Sequence, residues 1–496
     1  MVMNIRIERD SLGEYEVPAD AYWGVHTARA VDNFPISRRP IGIYPDFVVA
    51  FAQVKQAAAR ANADLGELDD ERADLIDQAC QEIIEGALHD QFIVGVIQGG
   101  AGTSSNMNAN EVIANRALEL AGREKGDYAY LHPIDHVNRA QSTNDTYPSA
   151  VKLAVAAGIR KLIAELQLLQ YSFHLKGREY RDVLKVGRTQ LQDAVPMTLG
   201  QEFHGFASTL GEDVQLLEQT LPSLSELNLG ATAIGTGITA HEDYAPAVMR
   251  HLREITGEHR LRTAHDLIEA TSDTGVFMLV SSALKRNAMK ISKICNDLRL
   301  LSSGPQAGLG EISLPAKQAG SSIMPGKVNP VIPEAVTQVA YVIAGSDVTV
   351  SMASEGGQLQ LNAFEPVMAH MILQNVTWLR RAIRTLRINC VDGIVANRDR
   401  LRRMVQSSVG VVTALSPTIG YQAAADLAKA ALRGEGEIRQ LVVERGLLTE
   451  QQVDELLNPQ SLSNQGPETQ SMPKMTPELI AAIEQELDRS DRRHDY

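Results

Sequence analysis

The chain has 496 residues and a mass of 54.0 kDa, enough to bury a large core and to divide into about two to four domains. Lys and Arg number 47 against 61 Asp and Glu, a formal net charge of −14. That balance argues against a binder of duplex nucleic acid, which needs a basic surface to displace counterions. Aromatics at only 5%, with abundant Ala and Leu, favour helix over sandwich or barrel.

The start, Met1 to Asp10, has no apolar core of the length a secretory signal needs. Cys80, Cys295 and Cys390 are odd in number and far apart, so no disulfide framework or CxxC metal knuckle can be drawn from them. The longest uncharged stretches, 91–110 and 227–240, are rich in Gly, Ser, Thr and Asn, and neither could span a bilayer. These features point to a reducing, cytoplasmic setting with no membrane or nucleic-acid partner.

Three zones differ in texture. The first, 1–143, opens with short irregular segments and continues into helices expected at about 47–63 and 71–85. The second, 144–399, carries long helical patterns with few prolines. From 281 to 301 the apolar residues Leu284, Ala288, Ile291, Ile294, Leu298 and Leu301 recur at three- and four-residue steps. From 151 to 175 the same period runs through Leu153, Ala157, Leu162, Leu166 and Leu169, and helices this long imply a bundle. The third zone, 400–496, is helical with shorter elements. It breaks at a turn-rich linker, 458–467, before a helix with Thr476 at the N-cap and Pro477 at the first position. The charged end from Asp488 onward is expected to fray.

Four clusters of small polar residues interrupt the helices: Gly99-Gly-Ala-Gly-Thr-Ser-Ser-Asn-Met-Asn108, Asn138-Arg-Ala-Gln-Ser-Thr-Asn-Asp145, Gly187-Arg-Thr-Gln-Leu-Gln-Asp193 and Gly320-Ser-Ser-Ile-Met-Pro-Gly-Lys-Val-Asn-Pro330. Each reads as a helix start, where free N–H groups and partial positive charge bind a carboxylate. Any one of them alone reads better as a loop with capping residues, and it is the presence of four in one enzyme-sized chain that favours a site. The fourth is not a P-loop, since five residues separate Gly320 from Gly326 and Val328 follows Lys327. The first lacks the acidic ribose partner of a dinucleotide site. His132 and His136 have zinc spacing, but Pro133 and the lack of a nearby third ligand favour capping or packing.

The fourth cluster resembles the hallmark loop of the aspartase/fumarase superfamily, and the other three clusters resemble that family's remaining active-site segments in order and spacing. The regions 32–36 and 292–297 are also similar, and the resemblance covers about 5–455. Val331-Ile-Pro-Glu334 and Gly187-Arg-Thr-Gln190 are similar to the ammonia-lyase branch, whereas fumarases carry a Thr-Gln-Cys-Glu run in the first place and His in the second.

The resemblance implies an all-α fold: a mixed N-terminal domain, a long central bundle that forms a homotetramer core, and a small C-terminal helical domain. It implies reversible deamination of L-aspartate to fumarate and ammonia, at sites that each draw on three chains. Ser321 is then the base. Thr103, Ser142, Thr143 and Ser322 would hold the β-carboxylate, while Lys327, Asn329 and Thr189 would hold the α-carboxylate. Asn144 and Gln190 would hold the amino group. Ser104, Ser105 and Asn108 read as caps or packing. Glu334 matches a carboxylate that orients the active-site His of other members, a role that has no partner beside Gln190. No cofactor is required. A divalent ion such as Mg, activating at a second site as in some relatives, has no ligand spacing here to support it.

Gln190 carries chemistry apart from the resemblance. An amide cannot give or take a proton near neutral pH, but its carbonyl can accept from an ammonium group. Hydroxide needs a proton donor to leave, and ammonia does not, so Gln190 favours an amino substrate. The alternatives are a fumarate hydratase, a lyase of adenylosuccinate or argininosuccinate type, and a helical scaffold that has lost catalysis.

Overall fold

The computed structural model describes residues 4–458, 461 and 475–492. The chain opens on an antiparallel hairpin, β1 (Ile5–Asp10) and β2 (Gly13–Pro18), where the sequence reads as irregular. The usual alternation is inverted here. Ile5 and Ile7 face solvent, while Arg6 and Glu8 turn inward, with Arg6 donating to the carbonyls of Pro18, Ala21 and Trp23 at 2.7–2.9 Å. A hydrophobic pattern could not reveal a strand whose inner face is charged. Four helices follow: α1 (Val25–Asn33), α2 (Pro45–Asp64), α3 (Asp70–Ile84) and α4 (Thr103–Leu120). Pro45 starts α2, and the Asp69 side chain caps α3 by accepting from Arg72 N at 3.0 Å.

The centre is a bundle of α5 (Thr143–Glu179), α6 (Leu199–Leu224), α9 (Gly275–Leu301), α10 (Val331–Glu355) and α11 (Glu365–Asn389), with α7 (Tyr244–Thr256) and α8 (Leu267–Ser272) between α6 and α9. All six periodic residues expected inside α9 are buried. The helix α5 starts eight residues before the proline-free stretch and runs through Pro148. A proline there leaves the Asn144 carbonyl without its helical donor. Asn228 Nδ2 donates to that carbonyl at 3.0 Å instead.

Hydrogen bonds fix the directions of α6, α9 and α10 relative to α5. Gly200 N donates to Tyr180 O, so α6 returns antiparallel to α5. Asn228 also donates to Thr271 Oγ1 at 3.1 Å, which starts α8 and α9 beside the N-terminal end of α5. Thr274 and Ser354 share a 2.7 Å hydroxyl bond, so α10 ends where α9 begins. The N-terminus of α10 therefore lies at the far end, beside the C-terminus of α5.

Between α5 and α6 the chain forms a second hairpin, β3 (Leu184–Thr189) and β4 (Gln192–Thr198). At the same end, α12 (Arg398–Ser407), α13 (Val411–Ile419), α14 (Tyr421–Leu432), α15 (Ile438–Glu444) and α16 (Glu450–Leu456) follow the bundle, and a separate small core of Leu415, Leu427, Leu441 and Val453 forms among the last four. The 458–467 linker lies mostly outside the described residues. The helix Pro477–Arg492 forms as expected, with Thr476 Oγ1 accepting from Leu479 N. Part of the end expected to fray, 493–496, lies outside the described residues; before it Arg384 bonds Asp488, and Arg387 bonds Glu484 at 2.7 Å, which ties this helix to α11. Among the described residues no helix is long and apolar enough to cross a membrane.

Where α2 meets α11, Tyr44 and His370 Nδ1 share a 2.7 Å hydrogen bond. Burial, helped by the nearby Arg39 guanidinium, pushes the His370 imidazole down to about 4. The unfolded chain binds a proton near pH 6.5 and the folded chain only near pH 4, so stability is present above pH 6.5 and is lost on acidification through that window. Denaturant titrations at pH 6.5 and 5 should show about 1.5 kcal/mol of this loss in the wild type. The loss should be absent from a His370→Gln variant, beyond what other groups contribute.

Candidate active site

Residues 99–108 wind through a left-handed turn into α4. Gly102 has φ +92°, and Thr103 is the first helical residue, with its hydroxyl on Gly100 O at 2.7 Å. Beyond it Ser105 is buried on Gln98 Oε1, and Asn108 is tied to Gln91 O at 3.0 Å and Val94 N at 3.3 Å. These two are structural, as the capping and packing alternative holds.

Ser142 is the N-cap of α5, in a reciprocal capping box with Asp145. Thr143 and Asn144 open the helix. Asn144 Nδ2 donates to Ala233 O at 2.7 Å. Asp145 is fully buried, and burial pushes its carboxyl up, while the N–H groups of Ser142, Gly230 and Thr232 favour the charged form. The first two clusters meet through Asn106, whose Nδ2 donates to Asn138 Oδ1 and to Thr143 Oγ1, each at 3.1 Å. Beneath them Lys55 is fully buried and donates to Asn106, Asn138 and Gln141 at 2.6–3.0 Å.

The third cluster is not a helix start. Thr189 ends β3, and Gln190 and Leu191 form the two-residue turn, with φ +54° and +65°. Such a turn needs positive φ at both positions, for which Gly, Asn or Asp is the usual signal, and neither residue gives it. Gln190 and Thr189 are exposed, and among the described residues neither side chain is engaged in a hydrogen bond. The base of this hairpin is fixed by a buried ion cluster. Glu311 lies 2.9 Å from Lys185, pairs also with Arg188, and Lys185 pairs with Glu202 as well.

The fourth cluster is a loop before α10, closed by Gly320 N on Lys327 O and by Asn329 Nδ2 on Gly320 O, at 2.9 and 2.7 Å. Within it Ser321 Oγ accepts from Ile323 N at 3.2 Å and Met324 N at 3.0 Å. Two N–H donors on one serine oxygen favour its ionised form. Ser322 and Lys327 are exposed on the same loop, and Glu334 sits in the first turn of α10.

The four clusters therefore form two groups in one chain, each a candidate half-site. Thr103, Ser142, Thr143 and Asn144 lie at the N-terminal end of α5. Thr189, Gln190, Ser321, Ser322, Lys327 and Asn329 lie at the opposite end, where Glu311 ties the hairpin to the segment leading into the loop. The helices between span about 40 Å in α10 and about 55 Å in α5. Within a single chain the four clusters do not converge, and their spacing in sequence carries no information on that point.

The histidine pair caps a turn, as the capping alternative expects. His132 Nδ1 accepts from Ile134 N and Asp135 N, and His136 Nδ1 accepts from His132 N at 2.7 Å. Both rings cap a short turn. Two polar residues central to the first half-site, Lys55 and Asp145, were not singled out from sequence as part of it. The signal for Asp145 was the Ser-x-x-Asp capping box, and for Lys55 a lone charge inside the Ala-rich face of α2.

A family model described as Lyase matches residues 13–345, and one described as Fumarase C C-terminus matches 411–464. The chain belongs to the aspartase/fumarase superfamily of lyases. An aspartate ammonia-lyase of Pseudomonas aeruginosa is 55% identical, over 93% of this chain and 97% of its own length. The aspartate ammonia-lyase of Escherichia coli is 52% identical with the same coverage. Among solved structures, a Brucella melitensis protein described as fumarate lyase:delta crystallin bound to cobalt superposes with a TM-score of 0.89 at 52% identity, covering 92% of this chain and 99% of that one. A class II fumarase from Schistosoma mansoni gives 0.86 at 34% identity, covering 93% and 99%. The mostly helical aspartase/fumarase fold and membership of a lyase family that acts on small molecules follow directly.

Gly102 sets the angle at which α4 presents Thr103, and an added Cβ there would fall within the Tyr147 ring. Gly102→Ala combines a left-handed backbone with overpacking and should cost about 2–5 kcal/mol. A thermal melt of the variant should show a clearly lowered Tm.

Proposed function

We propose that the chain deaminates L-aspartate reversibly to fumarate and ammonia. The observation that carries this is the pair of backbone N–H donors on Ser321 Oγ, in a chain more than half identical to aspartate ammonia-lyases. Neutral serine is too weak a base for a carbon acid. The donors of Ile323 and Met324, with Lys327 on the same loop, support an alkoxide. That alkoxide takes the C3 proton. The electron pair left behind delocalises into the β-carboxylate as an enediolate, stabilised by Thr103, Ser142, Thr143 and Ser322. Collapse forms the C2–C3 double bond and breaks the C–N bond, and the ammonium departs as neutral ammonia. Lys327, Asn329 and Thr189 hold the α-carboxylate, and Asn144 and Gln190 hold the amino group. No cofactor enters this scheme, and among the described residues no cluster of His, Cys, Asp and Glu is arranged to hold a metal ion.

Fumarate hydration is the second reading, favoured by the similarity to a class II fumarase. Gln190 weighs against it, because loss of hydroxide needs an acid that an amide cannot supply.

The separation of the half-sites supports a homotetramer in which each site draws on three chains. A stripe of exposed Tyr341, Val348 and Met352 on α10, with Met278 and Leu279 on α9, supports burial of the bundle against other copies. The working organisation is an N-terminal domain over 1–143, the bundle over 144–399 and a C-terminal domain over 400–496, in a cytoplasmic enzyme.

Separate incubations with L-aspartate and L-malate, following fumarate by its ultraviolet absorbance, test the reaction. Fumarate should form rapidly from aspartate alone, and equal rates from malate would sink the amino-substrate argument. Ser321→Ala should lower kcat by about 10²–10⁴-fold with little change in KM. Co-refolding Ser321→Ala with Thr143→Val, a variant expected to keep weak but measurable turnover, should restore more activity than either variant has alone. Failure to restore it, with both variants folded, would place both residues in one chain's site.

A further inference from the structure

A hydroxyl can donate or accept, so the direction of the Thr143 proton is decided by its neighbours. Asn106, buried one turn along α4 from Thr103, is the neighbour that decides it. Its Oδ1 accepts from the Lys55 ammonium at 2.6 Å and, at 3.2 Å, from a Thr146 hydroxyl shared with Ser142 O. Its Nδ2 donates to Asn138 Oδ1 and to Thr143 Oγ1, each at 3.1 Å. An ammonium can only donate, so the carbonyl end of this amide must face Lys55, and the nitrogen end must face Thr143. Lys55 cannot turn away, because its other two bonds run to Asn138 Oδ1 at 2.9 Å and Gln141 Oε1 at 3.0 Å. Thr143 Oγ1 thus accepts from the protein, and its own hydrogen is left for a group outside this network.

We infer that Asn106 is a positioning residue for the elimination: locked in orientation by Lys55, its amide nitrogen makes Thr143 an obligate donor to the substrate's β-carboxylate. The inference rests on the aspartate-deaminating reading above. A donor fixed before the reaction costs no reorientation when charge builds on that carboxylate, so its benefit falls mainly on kcat.

Asn106→Asp tests the point with nearly the same shape. The second oxygen faces Thr143 as an acceptor, the Thr143 proton turns inward to it, and the substrate loses a donor. The kcat for aspartate should fall about 10–100-fold, with a smaller change in KM. In a Thr143→Val background the same substitution should cause no further loss, since there is no hydroxyl left to orient. Losses that multiply in the double variant would reduce Asn106 to a structural role and overturn the inference. Asn106→Ala, carried through the same pair of backgrounds, serves if the aspartate variant does not fold. A wild-type chain that leaves aspartate untouched would overturn both this inference and the functional reading, whereas an active wild type with multiplying losses overturns the inference alone.

Discussion

The length of α5 governs the molecule. Thirty-seven residues in one helix separate its two ends by about 55 Å. One end carries hydroxyl and amide groups at a helix N-terminus, and the other carries the serine loop and the Gln190 hairpin. No flexing of side chains closes such a gap. The long helices need partners along their whole length to bury their apolar stripes, and a chemistry divided between their ends needs other copies of the chain. A bundle that buries its core against copies of itself answers both demands, which is why assembly and catalysis are joined in the proposed reading.

Each half-site rests on buried charge. At the α5 N-terminus, Lys55 and Asp145 lie wholly inside the protein, and burial opposes the charged form of both. What they provide is orientation: Lys55 fixes three amide side chains, and Asp145 holds the N–H groups of Ser142, Gly230 and Thr232. At the other end, Glu311 clamps Lys185 and Arg188 on β3. Buried ion clusters of this kind contribute little net stability, but breaking one leaves a charge unpaired. They are suited to holding exposed hydroxyls and amides still.

The two halves differ in how they make polar groups available. Thr103 and Thr143 are first residues of helices, backed by N–H groups the helix leaves unpaired. Ser321 sits in a loop with Gly326 at positive φ, and its neighbour Ile323 is 84% exposed. An apolar side chain so exposed suits a loop that is covered when substrate or another copy lies over it. Gln190 stands on the tip of a tight turn, where a substitution would change the chemistry of the proposed amino-group position without touching the core.

The sequence located α2 and α3 to within two residues of their ends, where Pro45 and the Asp69 cap start them, and its periodicity located α9 apart from the first six residues. The hallmark loop likewise carried its identity in local order, since its turns depend on which residues are small, cyclic or amide-bearing. Both hairpins escaped this reading: β1 turns its charges inward, and β3 reverses at Gln190 and Leu191, where neither residue is a usual turn former. The sequence also could not show that Asn144, robbed of a helical donor by Pro148, takes one from Asn228. Nor could order along the chain reveal that neighbouring clusters lie at opposite ends of a bundle. Proximity in space depends on which way each helix runs, and that is fixed only when buried polar groups far apart in sequence find each other.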